Sequence, residues 1–122
     1  SDILSAENNP TVRVEASINE VIIEISNKRL GATAVIDNDE LKGIITDGDL
    51  RRMLENGASF TDLKANDIMS EYPKTILNNT LVYDALQLME ASNISQLVVM
   101  DSYSSKYVGI VHLHDILKEG VV

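Results

Sequence analysis

The sequence predicts an α/β (α+β) fold built from two copies of one β-α-β-β-α unit. Gly43-Ile44-Ile45-Thr46-Asp47-Gly48-Asp49-Leu50 recurs as Gly109-Ile110-Val111-His112-Leu113-His114-Asp115-Ile116, an offset of 66 residues. Ser1-Asp2-Ile3-Leu4-Ser5 recurs as Asn66-Asp67-Ile68-Met69-Ser70 at an offset of 65, and the apolar-periodic segments that open at Ser17 and Thr80 lie 63 apart. Offsets that drift this little mark a duplicated unit with small loop insertions. The 44% hydrophobic share includes only 4% aromatics, so small aliphatic residues do the packing, as suits thin α/β layers. Halves of about 60 residues are marginal alone, so the copies are expected to share a core. We place repeat 1 at residues 1–60 and repeat 2 at 61–122.

Val12-Arg13-Val14 reads as a short extended piece after Pro10. Ser17 and Glu20 form a capping box, and Ile18, Val21, Ile22 and Ile25 follow at helical spacing until Leu30-Gly31. Ala32–Ile36 and Leu41–Ile45 read as a hairpin turning at Asp37–Glu40. Thr46 or Asp47 caps a helix through Leu50, Met53 and Leu54 that stops before Gly57. A polar connector comes next, with a helical turn expected within Leu63–Met69. In the second copy Lys74–Leu77 is extended, and Asn79 or Thr80 caps a helix carrying Leu81, Ala85, Leu88 and Met89. Strands are expected at Gln96–Met100 and Tyr107–Val111, and a last short helix at Asp115–Glu119.

Composition excludes several functions. A net charge of −9 makes nucleic acid and acidic membrane surfaces poor partners. The absence of cysteine removes disulfides and thiolate metal sites and fits a reducing cytoplasm. No run approaches a membrane span, and no leader pattern is read at the start. No Gly-x-Ser-x-Gly elbow, Walker loop or His-Glu-x-x-His occurs. The four methionines sit at apolar positions and read as core filler.

Two polar turns remain. Thr46-Asp47-Gly48-Asp49 stands where a buried strand gives way to a helix, whose free N–H groups attract anions. Thr46 adds a hydroxyl for a phosphate, Gly48 admits close approach, and Asp49 suits the two hydroxyls of a sugar. Arg51 and Arg52 bring positive charge to an acidic chain. The plainer alternative is that Thr46 and Asp49 merely cap the helix and the arginines are solvated. In the second copy His112, Leu113 and His114 replace Thr46, Asp47 and Gly48, and only Asp115 is retained. His112 and His114, if both on extended backbone, would point the same way beside Asp115, but no third strong metal ligand is evident. The two sites are therefore not equivalent.

The tandem order, the Gly-h-h-Thr-x-x-Asp string and the Asp-Ile-Met string at 67–69 resemble a cystathionine-β-synthase (CBS) domain pair over essentially the whole chain. Gly43 to Arg52, His112-Leu-His-Asp-Ile-Leu117 and the terminal Gly120-Val-Val122 are similar to the C-terminal part of bacterial arabinose-5-phosphate isomerases. The resemblance implies a pseudo-twofold pair with two clefts that bind adenine nucleotides or other ligands, and association into flat dimers or larger assemblies. It implies an N-terminal sugar-phosphate isomerase (SIS) domain outside this chain. That enzyme's product feeds synthesis of 3-deoxy-manno-octulosonate (Kdo) for lipopolysaccharide or capsule. Thr46 and Asp49 match the family's phosphate and ribose positions, and Asp115 the second ribose position. His112 departs from the usual Ser or Thr, which disfavours a second ordinary adenine-nucleotide site.

Three competing functions follow, of which the retained Thr46, Asp49 and Asp115 and the double arginine favour the first. The first is a cytoplasmic regulatory module, itself non-catalytic and needing no cofactor or metal. It senses a nucleotide or nucleotide-sugar such as cytidine-monophosphate-activated Kdo (CMP-Kdo) through Thr46, Asp47, Asp49, Arg51, Arg52, His112, His114 and Asp115. The second is a structural dimerisation module with empty clefts. The third is a small enzyme using His112, His114 and Asp115, which lacks a nucleophile.

Overall fold

The computed structural model describes residues 8–57 and 60–118. The 1–5 copy of the repeated string and the expected helix end at Glu119 with Gly120 lie outside the described residues.

Each copy builds a three-stranded sheet of the same topology. In the first, β1 (Thr11–Arg13) pairs parallel with β2 (Ala32–Asp37), and β2 pairs antiparallel with β3 (Glu40–Thr46). Parallel neighbours need a crossover, and α1 (Ile18–Lys28) supplies it. The second copy repeats this with β4 (Thr75–Leu77), β5 (Gln96–Met100), β6 (Tyr107–His112) and the crossover helix α4 (Val82–Ser92). Both hairpins shift register at the same place, Val35/Ile36 and Val99/Met100, so the duplication extends to an irregularity. Helices α2 (Asp47–Glu55) and α5 (Leu113–Lys118) leave the third strand of each sheet, and a short α3 (Ala65–Ile68) lies in the connector after a 3-10 turn at Phe60–Asp62.

Local chemistry explains most boundaries. Ser17 caps α1 through a complete box with Glu20, and the helix buries Ile18, Val21 and Ile25. Each such side chain contributes about 1.5–3 kcal/mol on leaving water. The helix closes on Arg29 in the left-handed region, φ 59°. The β2–β3 turn is tight, with Asn38 and Asp39 both at positive φ, as a two-residue hairpin demands.

Two boundaries differ from expectation. α4 is not capped by Asn79 or Thr80: its N-cap is Leu81, which offers no side-chain cap, and Leu81 is exposed rather than core. The Thr80 amide closes a turn onto the Leu77 carbonyl, 3.0 Å, and burial of Val82, Ala85 and Met89 fixes the helix phase one residue later. α5 starts at Leu113 rather than Asp115, because the His112 side chain caps it.

Three apolar clusters form the core. One lies inside each copy, around Val21, Ile25, Val35 and Ile45 in the first and Val82, Met89, Leu97 and Val111 in the second. The third joins the copies: Leu30, Ala32 and Ile44 pack on Val98 and Ile110. Polar ties reinforce it, with Gln96 Nε2 donating to the Leu30 carbonyl at 3.2 Å. Lead-in segments cross between copies. Ser70 pairs with Ile44 of the first sheet, and Asn8 bridges to Ile110 of the second. Tyr107 Oη donates to the Pro10 carbonyl at 2.6 Å, and burial pushes its phenol well above the usual range. The segment 65–70, second-copy by sequence, thus packs on the first-copy core through Ala65, Ile68 and Met69.

Candidate functional site

The first strand-to-helix turn is a closed polar knot. Thr46 leaves β3 in extended geometry and caps α2. Its hydroxyl accepts from the Asp49 amide at 3.3 Å, and the Asp49 carboxylate takes the Thr46 amide at 2.9 Å, a reciprocal box. Thr46, not Asp47, is therefore the cap, and Asp47 is exposed. Asp49 is only 7% exposed. A carboxylate buried to this extent needs partners, and two more are present. Ser70 Oγ lies 3.2 and 3.4 Å from its two oxygens, and the Arg52 guanidinium pairs with Oδ1.

Ser70 is the residue that the sequence reading missed. It arrives from the connector, held by paired backbone bonds with Ile44 of 3.0 and 2.8 Å. That approach requires Gly43, since a Cβ there would stand 2.7 Å from the Ser70 carbonyl oxygen and 2.9 Å from Met69 Sδ. The signal was present in Asp67-Ile68-Met69-Ser70, which repeats Asp2-Ile3-Leu4-Ser5, but nothing in the sequence says which copy it docks on.

Gly48 behaves differently. Its φ is not positive, and a Cβ would meet only ordinary contacts: Arg52 Nη1 and Thr46 Oγ1 at 3.5 Å, Arg51 Nη2 at 3.8 Å. The fold does not require glycine at 48. The same distances show both guanidinium groups folded over the helix start. Arg51 forms no ion pair with a described residue, whereas Arg52 is spent on Asp49.

The second turn has the same backbone and other chemistry. His112 ends β6 and its Nδ1 accepts the His114 amide at 3.0 Å, so it caps α5 as Thr46 caps α2. His114 is helical and exposed, so the two histidines do not share an extended backbone. Leu113, standing where Asp47 does, packs on the second core cluster. Asp115 is exposed, and its carboxylate forms no hydrogen bond or ion pair with a described residue. Among the described residues no group of three or more His, Asp or Glu side chains is placed to hold a metal. A groove of about 340 Å³ lies beside this turn, lined by Leu86, Met89, Glu90, Ile94, Ser95 and Leu113.

Comparison with known proteins accounts for the architecture. The CBS domain family matches residues 1–56 and again 65–121. Arabinose 5-phosphate isomerase KdsD of Yersinia pestis is 41% identical over 114 residues, 93% of this chain and 34% of that protein. The KdsD of Francisella tularensis is 41% identical over 110 residues, 89% and 33% of the two chains. The chain thus spans about a third of the length of the curated relatives it matches. Among solved structures, a putative signal-transduction protein with CBS domains from Burkholderia ambifaria superposes with a TM-score of 0.82 at 22% identity, covering 95% of this chain and 85% of that one. A CBS domain protein of Pyrobaculum aerophilum, complexed with AMP, gives 0.81 at 22% identity over 94% and 92%. Two matched copies, two identical sheet topologies and a shared inter-copy core agree: the chain belongs to the CBS domain family and carries two of its domains in tandem.

Proposed function

We propose that this chain is the non-catalytic regulatory module of an arabinose-5-phosphate isomerase and senses an anionic nucleotide or nucleotide-sugar, such as CMP-Kdo, in its first cleft. The catalytic SIS domain belongs to the remainder of the parent enzyme, which is cytoplasmic and serves Kdo synthesis. Repeat 1 (1–60) and repeat 2 (61–122) form one regulatory unit, and the unit works as a homodimer or larger assembly.

One observation carries this reading. Thr46 and two guanidinium groups converge on Gly48, a glycine that the backbone does not need, at a helix start where the Asp47 amide is bonded to the Gly31 carbonyl and the Asp49 amide to the Thr46 hydroxyl. A glycine ringed at ordinary contact distance by a hydroxyl and two guanidinium groups suits a phosphate. Thr46 and the Gly48 amide take the phosphate, Asp49 the sugar hydroxyls, and Arg51 and Arg52 the remaining charge, with Asp47 at the rim. At the second turn His112, His114 and Asp115 form a weaker site that favours a carboxylated sugar over plain AMP. The AMP complex of the Pyrobaculum aerophilum relative supports the ligand class without transferring it.

A thermal-shift panel of AMP, ADP, ATP, CMP and CMP-Kdo tests the reading. A ligand at a hundred times its Kd adds about 2.7 kcal/mol to the folded state, a shift of several degrees. Gly48→Ala should leave unliganded stability equal or slightly raised and remove that shift. A flat response to every compound at millimolar concentration sinks the sensor.

The second reading is a dimerisation module with empty clefts. It is favoured by the full use of Asp49 inside the chain and by the exposed Ile23, Leu54 and Tyr83 on the helices. A dimer in ultracentrifugation whose stability no compound alters would establish it.

A further inference from the structure

We propose that Arg52 is the specificity gate of the first cleft, admitting only ligands that carry both a vicinal diol and an anionic group. The inference rests on the reading of that cleft as a ligand site and concerns how it chooses among ligands.

The acceptor count of Asp49 leads to it. A carboxylate offers about four acceptor positions. Four donors reach this one: the Thr46 amide at 2.9 Å, the Thr46 hydroxyl at 3.3 Å, the Ser70 hydroxyl at 3.2 and 3.4 Å, and the Arg52 guanidinium. A sugar diol reaching Asp49 must therefore displace a donor already in place. The Thr46 amide and hydroxyl belong to the helix cap. Ser70 is pinned through its backbone to Ile44 on both sides. Arg52 has no second anchor among the described residues, and its side chain is 65% exposed against 6% for Asp49. It is the partner that leaves.

The consequence of that exchange depends on the ligand. A neutral diol displaces a cation from a buried carboxylate and returns weaker, uncharged donors, an unfavourable exchange. An anionic ligand gives the released guanidinium a new oxyanion, and Arg52 already lies near the phosphate position, with Nη1 3.5 Å from the Gly48 Cβ position. The guanidinium is exchanged from Asp49 to the ligand. Selection against nucleosides thus arises from a contact made before any ligand arrives.

Calorimetry with adenosine, AMP, cytidine and CMP on the parent, Arg52→Gln and Arg52→Lys tests the gate. In the parent each monophosphate should bind at least about a hundredfold tighter than its nucleoside. In Arg52→Gln the nucleoside should gain and the monophosphate lose, each by about tenfold, the scale of one charged hydrogen bond. Arg52→Lys keeps the charge without the planar fork and should retain part of the selectivity. If Arg52→Gln weakens nucleoside and monophosphate alike, or alters neither, the gate is overturned while the cleft stands. If the parent binds none of the four probes nor CMP-Kdo, the cleft reading falls and the gate with it.

Discussion

The two strand-to-helix turns share a backbone and differ in where the carboxylate is used. In the first, Asp49 is drawn inside by a cap, a hydroxyl from another segment and a cation. In the second, Asp115 occupies the matching position and stands in solvent, because a histidine caps the helix from its own ring nitrogen and asks nothing of the acid. The matching aspartate is a structural keystone in one repeat and, among the described residues, an exposed charge without an ion-pair partner in the other. Retention of a residue between copies therefore says little about its role until its donors are counted.

Removing each acid separates the two most sharply. Asp49→Ala should cost about 2–3 kcal/mol, since it strands the Thr46 amide and the Ser70 hydroxyl and leaves Arg52 unpaired. Asp115→Ala should fall within about 0.5 kcal/mol of the parent. Urea unfolding of both variants measures the difference. Equal losses would mean that the acids are equivalent and the contrast is illusory.

Gly43→Ala attacks the first knot from behind. Its Cβ meets the Ser70 carbonyl oxygen at 2.7 Å, a backbone atom that cannot swing aside. A loss of about 1–3 kcal/mol is expected from the forced shift. Because the clash pushes Ser70 off Asp49, amide exchange at Ile44 and Ser70 should quicken together, whereas Asp49→Ala should spare the Ile44–Ser70 pairing. If the exchange at those two amides is unchanged in Gly43→Ala, the docking of 65–70 on β3 is not what the glycine serves.

The fold was largely legible because its determinants are local: the Ser17–Glu20 box, the hairpin at Asn38-Asp39, and apolar spacing at Ile18, Val21 and Ile25. The start of α4 was misread for a physical reason. Asn79 and Thr80 are good caps, but the turn from Leu77 to Thr80 and the burial of Val82 outweighed a side-chain bond of about 1 kcal/mol. Thr46, Asp49 and Arg52, which their spacing groups in the sequence, lie together in the structure. That Arg52 pairs with Asp49 and that Ser70 completes the set were not legible, since one depends on side-chain conformation and the other on a contact 21 residues away. The roles of His112 and His114 diverged because the helix begins at Leu113, which places one ring on the cap and the other outside.

The histidine cap offers a milder test of the same contrast. His112→Ala should destabilise by about 0.5–1 kcal/mol, leaving the His114 amide without its acceptor. His112→Asn should recover most of that, because a short carbonyl side chain caps equally well. In the first turn Thr46→Ala should cost more than His112→Ala, since Thr46 also anchors the box with Asp49. A smaller loss for Thr46→Ala would deny the knot its cooperativity.

The smallest effect lies at the opposite ends of the two sheets, where the hairpin connections differ as the turns do. The β2–β3 turn is shaped by positive φ at Asn38 and Asp39, a constraint that does not titrate. The longer β5–β6 loop is gathered around Asp101, whose carboxylate accepts from the Ser104 amide at 2.8 Å, the Ser104 hydroxyl at 3.0 Å, the Tyr103 amide at 3.1 Å and Asn78 Nδ2 at 3.1 Å. The Ser104 amide, more than any other partner, holds the Asp101 carboxyl below its ordinary value of 3.8. A lowered value in the folded state means that this stabilisation is fully present above the ordinary value and is lost as pH falls through the folded one. On acidification below pH 3.8, the Ser104 and Tyr103 amide resonances should therefore move with one common midpoint that lies under 3.8. Asp101→Asn should abolish the movement and leave the strands intact. A midpoint at or above 3.8 would show that the loop amides do not favour the charged acid, and the two hairpins would then be held by the same means.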